Sequence, residues 1–188
     1  APRRGGFVAA ANRGLRASSR DVVLLNSDTE VTAGWLERLQ AAACSAPAVA
    51  SATPFSNDAT LCSLPRPFVA NRLPRGWGVD AFGRLVESAS LREYPRLPTG
   101  VGVCLYLRRR ALDVVGLLDE QAFGLGYGEE NDWCFRALQA GFVHVLDDAT
   151  FVFHAGGGSF GPAKAALQRR AARALSQRHP AYIATIAA

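Results

Sequence analysis

The sequence lacks a Cys-x-x-Cys pair, any long apolar run and any internal repeat. Its four cysteines, Cys44, Cys62, Cys104 and Cys134, lie far apart. That spacing excludes a zinc-clip pattern and leaves them as small hydrophobes of a core. No stretch approaches the roughly 20 apolar residues that a bilayer-spanning helix needs. The first residues do not read as a basic-then-apolar leader, so the expected compartment is the cytoplasm. Lysine is nearly missing: Lys164 stands alone among basic residues that are otherwise Arg. The net charge is still +5 and the pI about 9.4. Such a balance allows an anionic partner (a nucleotide, a nucleic acid or, through peripheral association, a membrane surface) without choosing among them.

What is present suits one compact domain. The 188 residues are 49% hydrophobic and 20% charged, with a mean hydropathy of +0.05, which excludes a disordered polar chain. Helical spacing runs from about Phe7 to Ser18. "DVVLLN" is a short continuous apolar run that reads as a strand buried on both faces. "TAGWLERLQAAACS" reads as a helix capped by Thr32, and "AVASATP" as a second strand, so this order predicts a parallel unit. Between residues 54 and 98 prolines are dense (Pro54, Pro65, Pro67, Pro74, Pro95, Pro98) and an irregular segment is expected. "GVCLYLRR" restores a strand, and "RRALDVVG" is a short helix stopped by Gly116. "GEENDWCFRALQAG" is a helix ending at Gly141, "FVHVL" and "TFVFHA" are two strands, and residues 163–188 hold an amphipathic basic helix. The chain opens inside a helix, so the first strand–helix–strand unit of such a sheet is expected to have been removed.

Three stretches could carry chemistry. In "LLNSDTEV" a strand ends on Asn26, Ser27 and Asp28, where open parallel sheets bind ligands. Asp28 is a hard oxygen ligand of the kind that Mg²⁺ or Mn²⁺ shares with substrate phosphates. The same residues would equally turn the chain and cap the next helix. In "GYGEENDWCFRALQAG" the acids Glu129, Glu130 and Asp132 open a helix, where its dipole favours them. Asp132 and Arg136 have the spacing of a solvated i,i+4 ion pair. Glu130 shares the inward stripe with Cys134, Ala137 and Leu138, and partial burial there would raise its pKa toward that of a general base. In "TFVFHAGGGSFG", His154 leaves a strand end for a glycine loop, a fair setting for a ligand. His144 and His179 have no such setting.

Together the stretches "GFVAAANRG", "VVLLNSDTEV", "ATPFSNDATLCSLPRP", "TGVGVCLYLRRRALDVVGLLDE", "FGLGYGEENDWCFRALQAGF" and "FVFHAGGGSFG" carry a resemblance. From about Gly6 to Gly161 the sequence resembles inverting glycosyltransferases of family 2, of a rhamnosyltransferase-like group working on bacterial surface polysaccharide. The family's opening "VPVYN"-like strand and its base-binding "DDGS"-like acid do not occur here. The resemblance implies a GT-A-like (Rossmann-like) α/β fold: a mostly parallel sheet with flanking helices, lacking its first βαβ unit. Residues 1–53 would be a donor and metal half, 54–98 an irregular loop region, 99–162 the acceptor and catalytic half, and 163–188 the basic helix.

The resemblance also implies roles. "NSD" is similar to the family's Asp-x-Asp motif, so Asp28 with Asn26 and His154 would hold Mg²⁺ or Mn²⁺. Asn12 and Arg13, with Asp28, would meet the diphosphate of a nucleotide-sugar donor. Glu130 would be the catalytic base, with Glu129 as its backup. Tyr127, Trp133 and Asp132 would contact a saccharide acceptor. Two rivals stand beside this reading. One is a non-catalytic interaction module derived from the same fold. The other is a nucleic-acid binder, which the lack of an aromatic-interleaved basic motif disfavours.

Overall fold

The computed structural model describes residues 6–124, 126–156 and 164–187. The glycine loop expected after His154 lies, from residue 157 onward, outside the described residues. In chain order the elements are α1 (Phe7–Ala17), β1 (Val22–Leu25), β2 (Thr29–Val31), α2 (Trp35–Ala43) and β3 (Val49–Ser56). A 3₁₀ turn (Thr60–Cys62) leads to α3 (Val79–Ala89), β4 (Arg96–Leu97), β5 (Cys104–Leu107) and α4 (Arg109–Val115). The remainder is α5 (Glu120–Phe123), α6 (Glu129–Gln139), β6 (Val143–His154), α7 (Lys164–Arg178) and α8 (Tyr182–Ala187).

The described strands form one sheet in the order β1-β5-β3-β6-β2, with β4 also paired to β6. Only β3 and β6 pair in parallel; β1/β5, β3/β5, β2/β6 and β4/β6 are antiparallel. The sheet is therefore mixed rather than mostly parallel. β5 inserts between β1 and β3 and runs against both, and β2 and β4 each run against β6. β1, β3 and β6 nevertheless point the same way, so their carboxyl ends share one edge. Asn26 follows β1, Asn57 follows β3, and His154 ends β6.

Helices cover both faces. Along β5, Leu105 and Leu107 join Val8, Leu15, Trp133, Cys134 and Leu175 in one apolar layer. Cys104 and Tyr106, on the opposite face by the twofold alternation of a strand, join Leu39, Ala42 and Val49 in the other. β1 is an edge strand and only half-buried, with Leu25 42% exposed, because β5 is its single partner.

Three further local expectations are revised. "FVHVL" and "TFVFHA" form one twelve-residue strand. Its pairing with β3 jumps from Pro54↔Asp147 to Phe55↔Phe151, so the polar residues between them are a bulge rather than a break. The same irregularity lets β3, a central strand, tolerate Pro54, which has no N–H to give the ladder. Within the segment expected to be irregular, α3 forms and buries Phe82 and Val86 against Phe151. Gly83 brings α3 so close to β2 that a Cβ there would lie 2.5 Å from the Thr32 methyl. Thr32 itself does not cap α2: its hydroxyl donates to the Phe151 carbonyl, and Gly34 occupies the cap position at φ 69°.

Candidate active site at the carboxyl edge of the sheet

Asp28 and His154 meet at this edge. Thr29 is the register partner of His154 in the β2/β6 ladder, and the Ala155 N–H donates to the Asp28 carbonyl at 2.9 Å. Their side chains approach to 3.4 Å between His154 Nε2 and Asp28 Oδ2. His154 Nδ1 lies 2.9 Å from the Asp58 carbonyl. A carbonyl only accepts, so Nδ1 carries a hydrogen, and in the neutral ring it is Nε2 that turns its lone pair toward the carboxylate. In that form two acceptor atoms face one another, and a shared cation would fill the place that the second ring proton fills in the imidazolium. One imidazole and one carboxylate, half-buried, suit Mn²⁺ or Mg²⁺ with phosphate oxygens and water completing the shell. Among the described residues no group of three or more His, Cys, Asp or Glu is placed to hold a metal by itself.

The acid pair opens α6. Gly128 precedes it at φ 85°, and a Cβ there would press on Phe123, Ala171 and Leu175 at 3.1–3.2 Å, so the entry to the helix requires glycine. The helix dipole favours carboxylates in this turn by about 0.3–1 kcal/mol each. Burial opposes it and wins. Glu129, 6% exposed, has its pKa pushed up to about 8, by burial first and by the charge of Glu130 second. Burial likewise raises Glu130, against backbone N–H groups of the first turn that favour its charge. Although part of the Glu130 side chain reaches the surface, its Oε2 and that of Glu129 are sealed from solvent without a hydrogen-bond partner among the described residues. Two such carboxyls retain a proton between them where isolated ones would have lost both.

The loop of residues 99–103 joins the acids to the other two segments. A Cβ on Gly102 would sit 3.6 Å from Glu130 Cδ, so the carboxyl lies against this loop. The adjacent Val103 carbonyl accepts from the Asn26 N–H at 3.0 Å. Thr99, bonded to Asn131, and Gly100, bonded to Cys134 Sγ, fasten the loop to α6. Glu130, Asn26, Asp28 and His154 are therefore linked by one short run of contacts.

Other expected site residues do not join them. Asn12 is 1% exposed on the inward face of α1. Its amide donates to the Leu118 carbonyl and Glu120 Oε1 and accepts from the Leu118 N–H, so it has nothing left for a donor. Arg13, one residue on, is exposed. Trp133 is fully buried and donates to the Gly116 carbonyl, which removes it from any acceptor surface. Asp132 is no solvated partner of Arg136: at 1% exposure it accepts from Arg136, Arg178 and His179. Burial alone would raise its pKa, but those donors hold it below the usual carboxylate range. Tyr127, half-buried at φ 67°, lines a surface groove with Phe123, Gly126, Leu167, Arg170 and Ala171, the only one of the three acceptor candidates so placed.

No motif of the sequence singles out Asn57, whose side chain holds the backbone of His154, or Arg178, which with the His179 set aside above ties α7 to α6. Asn57 follows a strand on the same edge as Asn26, and that repetition of Asn at strand ends was the available signal. His144, buried, donates through Nε2 to the Cys134 carbonyl and accepts at Nδ1 from Ser51, a structural role. Cys62 and Cys104 are inert core thiols, pushed up to about 12 by burial, whereas Cys44 is exposed.

No family model matches the sequence, and no curated protein matches it. Among solved structures, the chain is similar to the crystal structure of GalNAc-T7 with UDP, GalNAc and Mn²⁺, with a TM-score of 0.60 and 17% identity. The match covers 94% of this chain and 35% of that one, so the chain spans about a third of that protein's length. At this identity the likeness concerns the fold. The protein has a mixed α/β, GT-A-like architecture, a central sheet with flanking helices.

Proposed function

We propose that this chain is the catalytic part of a glycosyltransferase that moves a sugar from a nucleoside-diphosphate donor to an acceptor hydroxyl with inversion, as inverting family 2 enzymes do. The observation that carries the reading is His154 Nε2 facing Asp28 at the shared edge of three strand ends, with Glu130 joined to them through Gly102. The UDP and Mn²⁺ in the neighbouring structure support it.

Asp28 and His154, with Asn26 beside them, would hold Mg²⁺ or Mn²⁺, which when bound supplies positive charge to the departing diphosphate. Arg13, exposed on α1, would add to that charge. The acceptor oxygen forms its bond to the anomeric carbon as the carbon–oxygen bond to phosphate breaks, and the electron pair leaves with the diphosphate. Glu130 takes the hydroxyl proton; its raised pKa makes it a better base than a solvated carboxylate. The pair shares one proton, so one carboxylate of the two is free to accept another. Attack from the face opposite the leaving group inverts the centre in one displacement. Tyr127 would line the acceptor side.

Turnover of a panel of nucleoside-diphosphate sugars with Mn²⁺ tests the reading. Glu130→Gln is expected to lower kcat about 100-fold or more, with nucleotide affinity little changed. Asp28→Asn should raise the Mn²⁺ concentration required for donor binding. Silence with every common sugar nucleotide, combined with no Mn²⁺-dependent nucleotide binding, would instead make the chain a non-catalytic module.

A further inference from the structure

The last pair of the β3/β6 ladder is Ser56↔Val152, two residues short of His154. Beyond it a side chain replaces the missing strand. Asn57 Oδ1 accepts from the His154 N–H at 2.7 Å, and Asn57 Nδ2 donates to the His154 carbonyl at 2.9 Å. One amide therefore closes a two-bond ring on the backbone of a single residue. The next residue supplies a third bond, from His154 Nδ1–H to the Asp58 carbonyl at 2.9 Å. Asn57 is 6% exposed, and its own carbonyl accepts from the Asn71 N–H at 2.8 Å. Asn71 in turn donates through its amide to the Arg66 and Val69 carbonyls, both at 2.9 Å, so the loop behind Asn57 is closed.

We propose that Asn57 is a positioning residue for the cation site: it fixes the backbone of His154 so that Asp58 can hold Nδ1–H and only Nε2 turns toward Asp28. The inference rests on the reading of Asp28 and His154 as cation ligands. An imidazole ligates through its lone pair, so whatever selects the Nδ1–H tautomer selects Nε2 as the ligating atom. Partners of this kind are worth about 10–100-fold in metal affinity. A strand end that merely needed closing could spread its two bonds over different residues; here both fall on the residue that carries the ligand.

Two measurements on the 188-residue chain and its variants test it. In metal-free protein labelled with ¹⁵N at histidine, long-range proton–nitrogen correlation reads the His154 tautomer. The parent should show the Nδ1–H form, and Asn57→Ala a mixture. Mn²⁺ titration by electron paramagnetic resonance, with UDP present, should show a half-saturating concentration about tenfold higher in Asn57→Ala. Asn57→Asp keeps the acceptor for the His154 N–H and loses the donor, so it should fall between the two; it carries the comparison if the alanine variant does not fold. Asn71→Ala, which loosens the loop but spares the ring on His154, should shift the titration less than Asn57→Ala. His154→Ala separates the two levels of the argument. If it leaves Mn²⁺ binding unchanged, the ligand assignment fails and this inference with it. If His154→Ala weakens binding while Asn57→Ala or Asn57→Asp alters neither tautomer nor titration, the role of Asn57 alone is overturned.

Discussion

Glu129 and Glu130 show two forces of opposite sign acting on neighbouring side chains at a helix start. The dipole favours charge, desolvation disfavours it, and desolvation prevails. For Glu129 the consequence for stability has a definite direction. Its folded pKa of about 8 lies above its ordinary value of 4.5, so the folded state holds the proton more tightly. The stabilisation is fully present below pH 4.5 and is lost as pH rises through about 8. Glu129→Gln should flatten that decline: its melting temperature, compared with the parent by calorimetry, should gain between pH 5 and pH 9. Parallel curves would sink the assignment. Asn12 makes a simpler case. Asn12→Ala strands the Leu118 N–H and carbonyl and should cost about 2 kcal/mol or more in urea unfolding, with donor affinity changed only as far as stability dictates.

At the scale of elements, α6 and α7 are joined by a buried carboxylate. Asp132 accepts from Arg136 on its own helix and from Arg178 and His179 at the end of α7, while Arg178 also reaches Asp119 at 2.7 Å. Removing the carboxylate leaves the buried His179 and the half-buried Arg136 without their acceptor, so Asp132→Ala should cost about 3 kcal/mol. Arg178→Ala is milder, because that side chain is 42% exposed. It should raise amide hydrogen exchange across α7 before it does so in β3 or β5. The sequence pattern made α6 plain, with acids at its start, an apolar stripe and a glycine after its end. It could not show that Asp132 faces inward, because i,i+4 spacing to Arg136 is the same for a buried pair and a solvated one. α3 was hidden for a different reason: its short helical pattern sits among prolines and glycines that read as loop. The bulge in β6 was likewise read as a gap, since Asp147 and Asp148 look like turn residues until β3 is seen to pair on either side of them.

For the molecule as a whole, the oxygen-rich end of β1, the acids of α6 and the histidine ending β6 were legible as separate chemistry. Their meeting depends on strand order, which no local pattern carries. β5 enters between β1 and β3 from a distant part of the chain, makes two of the five pairings antiparallel, and still leaves β1, β3 and β6 aligned. Asn57 and Asn71 escaped notice because an amide after a strand usually does no more than turn the chain. Only three-dimensional proximity to residue 154 gives the first of them a task.

The alignment of those three strands has an evolutionary corollary. The segments that emerge from them can be lengthened, exchanged or reshaped while the apolar layers on either side of the sheet stay as they are. Under the proposed glycosyl-transfer reading, new sugar preferences would arise at the rim of the molecule without renegotiating its interior.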